Sequence, residues 1–304
     1  MSTTSAFDNP TRDTPDDRTA IARQAIVDAG RSVGGYVWFD RSRRADDHTA
    51  ASDAELLFKV LSHLDNEALT GKKTIFVNCT HDSLTGGHLE LIQPERVILE
   101  IPPLDLNQQD QIESRLQTLV EVRQRGFRLA FNQAILTTAY RPWLALASFI
   151  KIDLSQIRTQ DLADVIQRAQ SSSQAQLIAE KVETAAQFEQ VAALGVKLFQ
   201  GYWFAKPTLV TGQTLRASQT TLIQLINLVR REASTSEIEA VLKHDPTLSF
   251  NLLRFINSSG FGLSCEITSF RHAVMLLGLK KLFRWAGLLM ITSRDGGAPP
   301  AVAS

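Results

Sequence analysis

Between Ala22 and about Pro207, short apolar runs alternate with longer amphipathic stretches, and this alternation constrains the fold more than any other feature of the chain. The runs QAIVDA, GYVWF, KTIFVN, RVILEI, FRLAFN, SFIKID, QLIAE and VKLFQG have strand character. Segments such as ASDAELLFKVLSHL, QIESRLQTLVEVRQRG, LADVIQRAQ and ETAAQFEQVAALG lie among them with helical spacing. Strands separated by helices read as βαβ units of an α/β fold. At this repeat number the economical closure is a (β/α)8-type barrel. An open doubly wound sheet is the alternative, because periodicity does not show whether the sheet edges meet.

After Pro207 the strands stop, and from about Gln213 to Met290 the chain reads as consecutive short helices, a small all-α module. Thr235 or Ser236 suits the N-cap of one helix, Pro246 the first turn of the next, and Gly260 the position just past that helix's end. The organisation expected is a disordered tail over 1–20, a barrel over 21–208, a helical module over 209–291 and a second disordered tail over 292–304. Leu276, Leu279, Leu282, Phe283, Trp285, Leu288 and Leu289 in the last helix either present an apolar surface to a partner or form ordinary core against the preceding helices.

Charge and composition narrow the function classes. Lys+Arg and Asp+Glu both number 32, which argues against a broad phosphate-tracking surface and hence against nucleic acid. Two cysteines, Cys79 and Cys265, are too few for a disulfide framework. The polar start and the lack of a long apolar run point to a cytoplasmic protein with no membrane segment.

The segment Leu177 to Pro207 resembles the corresponding part of EAL domains, the bacterial cyclic di-GMP phosphodiesterase family. The matching signs are Ala179-Glu180, Val182-Glu183-Thr184, Leu194-Gly195 and Gln200-Gly201-Tyr202, followed by Phe204 and Pro207. Upstream, Lys151-Ile152-Asp153, Leu99-Glu100-Ile101 and Val77-Asn78 look like further strands of that family. The resemblance implies a barrel with its site at the C-terminal strand ends, where Mg2+ or Mn2+ held by carboxylates and an asparagine serves hydrolysis of one phosphodiester. It assigns Asn78, Glu100, Lys151, Glu180, Glu183 and Gln200 to a vestigial EAL site, and Gln24 and Arg41 to nucleotide binding.

The same resemblance places Val37 where the first metal-binding glutamate belongs, and Asn132 and Gln133 where two adjacent aspartates belong. From these replacements the chain is expected not to be an enzyme and not to bind Mg2+ or Mn2+. Other readings of the residues stay open. Lys151 suits an ion pair with Glu100 or Glu180. Glu180 and Glu183 suit the first turn of a helix, and Gly201 suits a tight turn at a strand end. Arg41 belongs to a basic cluster with Arg43 and Arg44. Whichever of Trp38 and Phe39 points inward narrows the mouth. The glycine-free stretch Ala134–Thr138 suggests a loop packed down over that mouth.

In the helical module, His244-Asp245-Pro246, Leu252-Leu253-Arg254-Phe255-Ile256-Asn257-Ser258, Ile267-Thr268-Ser269 and His272-Ala273-Val274 resemble the first half of an HDOD domain. That family acts in signalling output or protein contacts and generally lacks the metal ligands of HD phosphohydrolases. Asp245 before Pro246 reads as an N-cap rather than half of a metal dyad with His244. Together these readings describe an EAL–HDOD signalling adaptor that contacts other signalling proteins and binds cyclic di-GMP weakly or not at all. A non-hydrolysing cyclic di-GMP receptor and an active phosphodiesterase are the alternatives, and pairing of barrels into a homodimer stays open.

Overall fold

The computed structural model describes residues 21–40, 49–63, 73–92, 94–104, 109–210, 218–257 and 266–292. The expected tails over 1–20 and 292–304, apart from Thr292, lie outside these residues together with Arg41, Gly260 and Cys265. The strands are β1 (Ile21–Asp28), β2 (Val33–Asp40), β3 (Thr74–Asn78), β4 (Val97–Ile101), β5 (Arg128–Asn132), β6 (Ala147–Asp153), β7 (Gln176–Glu180), β8 (Leu198–Phe199) and β9 (Thr208–Val210). They form one sheet in the order β2-β3-β4-β5-β6-β7-β8-β1, with β1 also pairing β2, so the barrel closes and the open-sheet alternative falls. β9 adds to β1.

Strands β2 to β8 run parallel, whereas β1 is antiparallel to both of its barrel neighbours. The simple βα alternation therefore does not hold at the start. Residues 29–32 alone link β1 to β2, and a parallel crossover needs a dozen or more residues, so the pair can only be a hairpin.

The barrel interior follows from strand periodicity. Ile26, Val37, Phe76, Ile98, Ala130, Phe149 and Ile178 form an apolar plug, one residue from each of β1 to β7, with Leu198 of β8 against it. Phe76 and Phe149 meet edge to face with ring centroids 5.2 Å apart. Successive inward side chains are two residues apart. The next inward layer toward the C-terminal ends of the parallel strands is thus Phe39, Asn78, Glu100, Asn132, Lys151, Glu180 and Gln200, and antiparallel β1 contributes Gln24. A polar layer stands directly on an apolar floor.

Outside the barrel, helices α1 (Ala50–His63), α2 (Gln109–Gln124), α3 (Leu162–Ser172) and α4 (Ala185–Ala193) bury one face each, with Leu56, Leu57 and Val60 from α1 and Ile112, Leu119 and Val122 from α2. Thr184 caps α4 in a reciprocal arrangement with Gln187.

The helical module comprises α5 (Gln219–Arg230), α6 (Thr235–His244), α7 (Pro246–Asn257) and α8 (Phe270–Thr292), the last kinked at Gly278, whose φ is 73°. The N-cap of α6 is Ser234, one or two residues before the expected Thr235 or Ser236, because Ser234 and Glu237 complete a capping box. Asp245 is buried and ties two helix starts together. Its Oδ1 accepts from the Leu248 N–H at 2.9 Å and its Oδ2 from the Ser218 N–H at 3.0 Å, while His244 is exposed. The pair does not converge on a metal.

The last helix divides its apolar residues. Leu282, Trp285 and Leu289 are buried, Leu279 and Leu288 half-buried, and Leu276 and Phe283 exposed. Besides α5, α6 and α7, α8 packs on α1 and on the short turn Gly87–Leu91 of the barrel. Among the described residues, no helix is long and apolar enough to cross a membrane.

Ahead of α8 the chain is fixed by one amide. Asn257 donates from Nδ2 to the Ile267 carbonyl at 2.7 Å and accepts at Oδ1 from the Ile267 N–H at 2.6 Å. Asn257→Ala leaves both backbone groups without this partner and is expected to cost roughly 1–3 kcal/mol. Urea denaturation checks it, and a midpoint equal to that of the unsubstituted protein would reject it.

Candidate functional site

The polar layer opens into a cleft of about 560 Å³ at the barrel mouth. Asn78, Glu100, Asn132, Lys151, Glu180 and Gln200 line it, with Val37 and Ala130 at the floor and Phe39, Pro102 and Pro103 at the walls. Phe39 rather than Trp38 points into the mouth. Trp38 is buried on the outer side, with the Arg23 guanidinium 5.8 Å from its ring centroid.

One cation organises the cleft. Lys151 Nζ lies 2.7 Å from Glu100 Oε1 and 2.5 Å from Glu180 Oε1, and all three side chains are largely buried. Burial alone would lower the ammonium pKa, but the two glutamates outweigh it and hold Lys151 above its ordinary value. Two carboxylates share one positive charge. Burial therefore keeps the Glu100 carboxyl above the usual range despite the pull of Lys151.

A second ion pair sits beside the first. Lys181 Nζ contacts Asp153 Oδ2 at 2.7 Å, while Asp153 Oδ1 accepts from the Ser155 N–H and hydroxyl at 2.9 and 2.7 Å. Burial works upward on Asp153, yet Lys181 and Ser155 together hold its carboxyl below the usual range. Lys181 adopts a left-handed backbone with φ of 55°, a conformation that costs a residue with a Cβ about 1 kcal/mol or more.

Gln24 and Gln200 meet across the barrel. Gln200 Nε2 donates to Gln24 Oε1 at 2.8 Å, and Gln24 Nε2 donates to the Ala205 carbonyl at 3.1 Å. Gln200 Oε1 is buried with no partner among the described residues.

Several other residues fall elsewhere. Glu183 is exposed and does not line the cleft, because the strand ends at Glu180 and the left-handed Lys181 breaks the inward period. Gln133 turns away too: its Nε2 donates to Gln156 Oε1 at 3.0 Å and its Oε1 accepts from the Asp153 N–H at 3.1 Å. The stretch after it does not cover the mouth. Ile135 is buried in the main core with Ala134 and Leu136 packed around it, so apolar burial draws this segment outward and leaves the cleft open.

Sequence reasoning missed Asp53 and Lys181. Both line the cleft, and Asp53 Oδ2 accepts from the Thr80 N–H at 2.6 Å. A carboxylate in the first turn of α1 was the available signal for Asp53.

The EAL domain family model matches residues 55–207 and the HDOD domain family model residues 215–298. The chain belongs to the EAL family. CdgJ of Vibrio cholerae, named a cyclic di-GMP phosphodiesterase, is 28% identical over 272 residues, 87% of this EAL–HDOD chain and 62% of that relative. The chain thus spans less than two thirds of the relative's length.

Two solved structures share the barrel fold. The EAL domain of Mycobacterium smegmatis DcpA matches with a TM-score of 0.51 and 19% identity, over 62% of this chain and 92% of that one. Klebsiella pneumoniae BlrP1 in a calcium and cyclic di-GMP complex matches with 0.50 and 21%, over 62% and 56%.

These findings correct one expectation. Val37, Asn132 and Gln133 suggested that the chain is not an enzyme. A protein matched over most of this EAL–HDOD chain is named a phosphodiesterase, and the sequence-based exclusion of activity is withdrawn.

Glu100, Glu180 and Asn78 supply hard oxygens, but Lys151 already bonds both carboxylates. Among the described residues, no group of three or more His, Cys, Asp or Glu side chains is placed to hold a metal ion. As arranged, the residues do not fit a divalent cation.

Proposed function

We propose that this EAL–HDOD chain is a cyclic di-GMP signalling protein whose output runs through protein contacts of its HDOD domain, and whose mouth, without metal, holds the dinucleotide weakly. The observation that carries the binding part is the Lys151 triad. Glu100, Glu180 and Asp53 line the cleft beside Lys151 and Lys181, and both lysines are engaged by carboxylates. A dinucleotide would bring two phosphates to this surface. Each close like-charge pair costs about 1 kcal/mol even at the dielectric of water. Support for the output part comes from α8, where Met275, Leu276 and Phe283 remain exposed beside a buried core.

Titration calorimetry with cyclic di-GMP in the presence of a chelator is expected to show no saturable heat at micromolar protein. A micromolar or tighter dissociation constant would overturn the binding part.

The name of the Vibrio relative favours a second reading, in which the barrel hydrolyses cyclic di-GMP. Linear dinucleotide formed with Mn2+, and lost in Glu180→Gln, would carry that reading. No product above the buffer level would remove it.

A further inference from the structure

We propose that Arg284 of the HDOD domain is a positioning residue for the barrel mouth, acting through the segment 79–91 that leads out of β3. This goes beyond the proposed function, because it depends on neither the ligand nor the partner.

The segment begins at the cleft and ends under α8. Asn78, Cys79 and Thr80 all line the cleft. The Cys79 N–H donates to the Glu100 carbonyl at 3.0 Å, the Thr80 N–H to Asp53, and His81 Nε2 lies 3.0 Å from the carbonyl of cleft-lining Pro102. Ser83 then turns the chain back, its hydroxyl donating to the Thr80 carbonyl at 2.8 Å. The turns Ser83–Thr85 and Gly87–Leu91 follow, with Leu84, Leu89 and Leu91 buried in the core that also holds Leu282, Trp285 and Leu289 of α8.

At the far end Arg284 closes the connection. Its guanidinium donates to the Gly87 carbonyl at 3.3 Å and pairs with Glu90, which Lys280 also contacts at 3.3 Å. Gly87 makes room for this: a Cβ there would stand 3.2 Å from Arg284 Nε.

α8 reaches the mouth by a second path as well. It packs on α1, whose Asp53 lines the cleft and holds Thr80. Two walls of one cleft are therefore braced by one helix of the other domain. A short segment tied at both ends transmits displacement because its middle is packed solid.

Cys79 supplies the probe. It is buried in the wall and burial pushes its thiol pKa up, so a thiol reagent reacts when the wall opens. In the full chain carrying Cys265→Ser, Arg284→Glu places like charges against Glu90. It is expected to raise the labelling rate of Cys79 by about fivefold or more, with the thermal midpoint by circular dichroism nearly unchanged.

The swap Glu90→Arg with Arg284→Glu is expected to return the rate to within about twofold of the starting protein. Unchanged Cys79 labelling in Arg284→Glu would overturn the proposal. So would faster labelling that tracks a fallen thermal midpoint and is not rescued by the swap, since that would mark a merely structural role.

Discussion

Replacing Lys151 by Met is expected to destabilise the protein by roughly 3–5 kcal/mol at pH 8, because it leaves Glu100 and Glu180 facing each other in a buried cleft with no cation between them. The direction of its pH dependence follows from the two kinds of group. Lys151 has a folded pKa above its ordinary value, so its contribution is present throughout the neutral range and is lost only as pH rises through that folded value. Burial already holds the Glu100 carboxyl above its ordinary range, and Lys151→Met removes the cation that pulls it down. For a carboxyl raised in this way, stability is greatest below the unfolded carboxylate pKa and is lost as pH rises through the raised folded value.

The deficit of Lys151→Met against the unsubstituted protein is thus expected to be smaller at pH 5 than at pH 8. Urea midpoints at the two pH values check this. Adding Glu100→Gln and Glu180→Gln to Lys151→Met removes the uncompensated charges and is expected to recover much of the loss. Equal deficits at both pH values, or no recovery in the triple variant, would reject the electrostatic account.

The residues of this triad illustrate what a sequence carries. Phe149-Ile150-Lys151, Ile98-Leu99-Glu100 and Ile178-Ala179-Glu180 each place an apolar plug residue two positions before a charged one. Strand periodicity alone therefore puts the three charges on one layer, and a pairing of Lys151 with either glutamate could be read before any coordinates. Which glutamate it would choose could not, since the answer, both, depends on how the closed barrel staggers neighbouring strands. Glu183 lies exposed outside the cleft, and strand periodicity alone could not have told where it falls. Its assignment rests on the likeness of Val182-Glu183-Thr184 to the EAL motif, and no strand period reaches it, since Lys181 leaves the extended region.

Long-range packing was least visible. Asp53 reaches the mouth because α1 starts beside Thr80, and α8 covers Gly87 and Glu90 although nearly two hundred residues separate them. No local pattern reports such a contact. The apolar stripe of α8 could be read as core or as docking surface, and the structure divides it: the face with Leu282 and Trp285 is consumed by packing, and that with Leu276 and Phe283 stays exposed.

Gly201→Ala is expected to cost about 3 kcal/mol or more and to displace Gln200 from the cleft, an effect at the upper end of overpacking because the obstruction is backbone. In the sequence this glycine looks like one that permits a tight turn, yet it is not among the residues with positive φ. Its function is close approach. A Cβ at position 201 would fall inside 3.0 Å of the N, C and O atoms of Val182, in the segment that leads from Glu180 toward α4.

Those atoms cannot swing aside as a flexible side chain would. The Val182 N–H donates to the Gln200 carbonyl at 3.1 Å and the Val182 carbonyl accepts from the Trp203 N–H at 3.0 Å, so separating the two segments breaks both bonds. Gln200 would move with them and lose its 2.8 Å bond to Gln24, which couples the eighth strand to the first. Thermal denaturation measures the stability loss, and side-chain amide resonances of Gln24 and Gln200 report the local displacement. An alanine variant with an unchanged midpoint and unchanged amide resonances would show that the chain can open at Val182 without cost, and the close-approach role of Gly201 would fall.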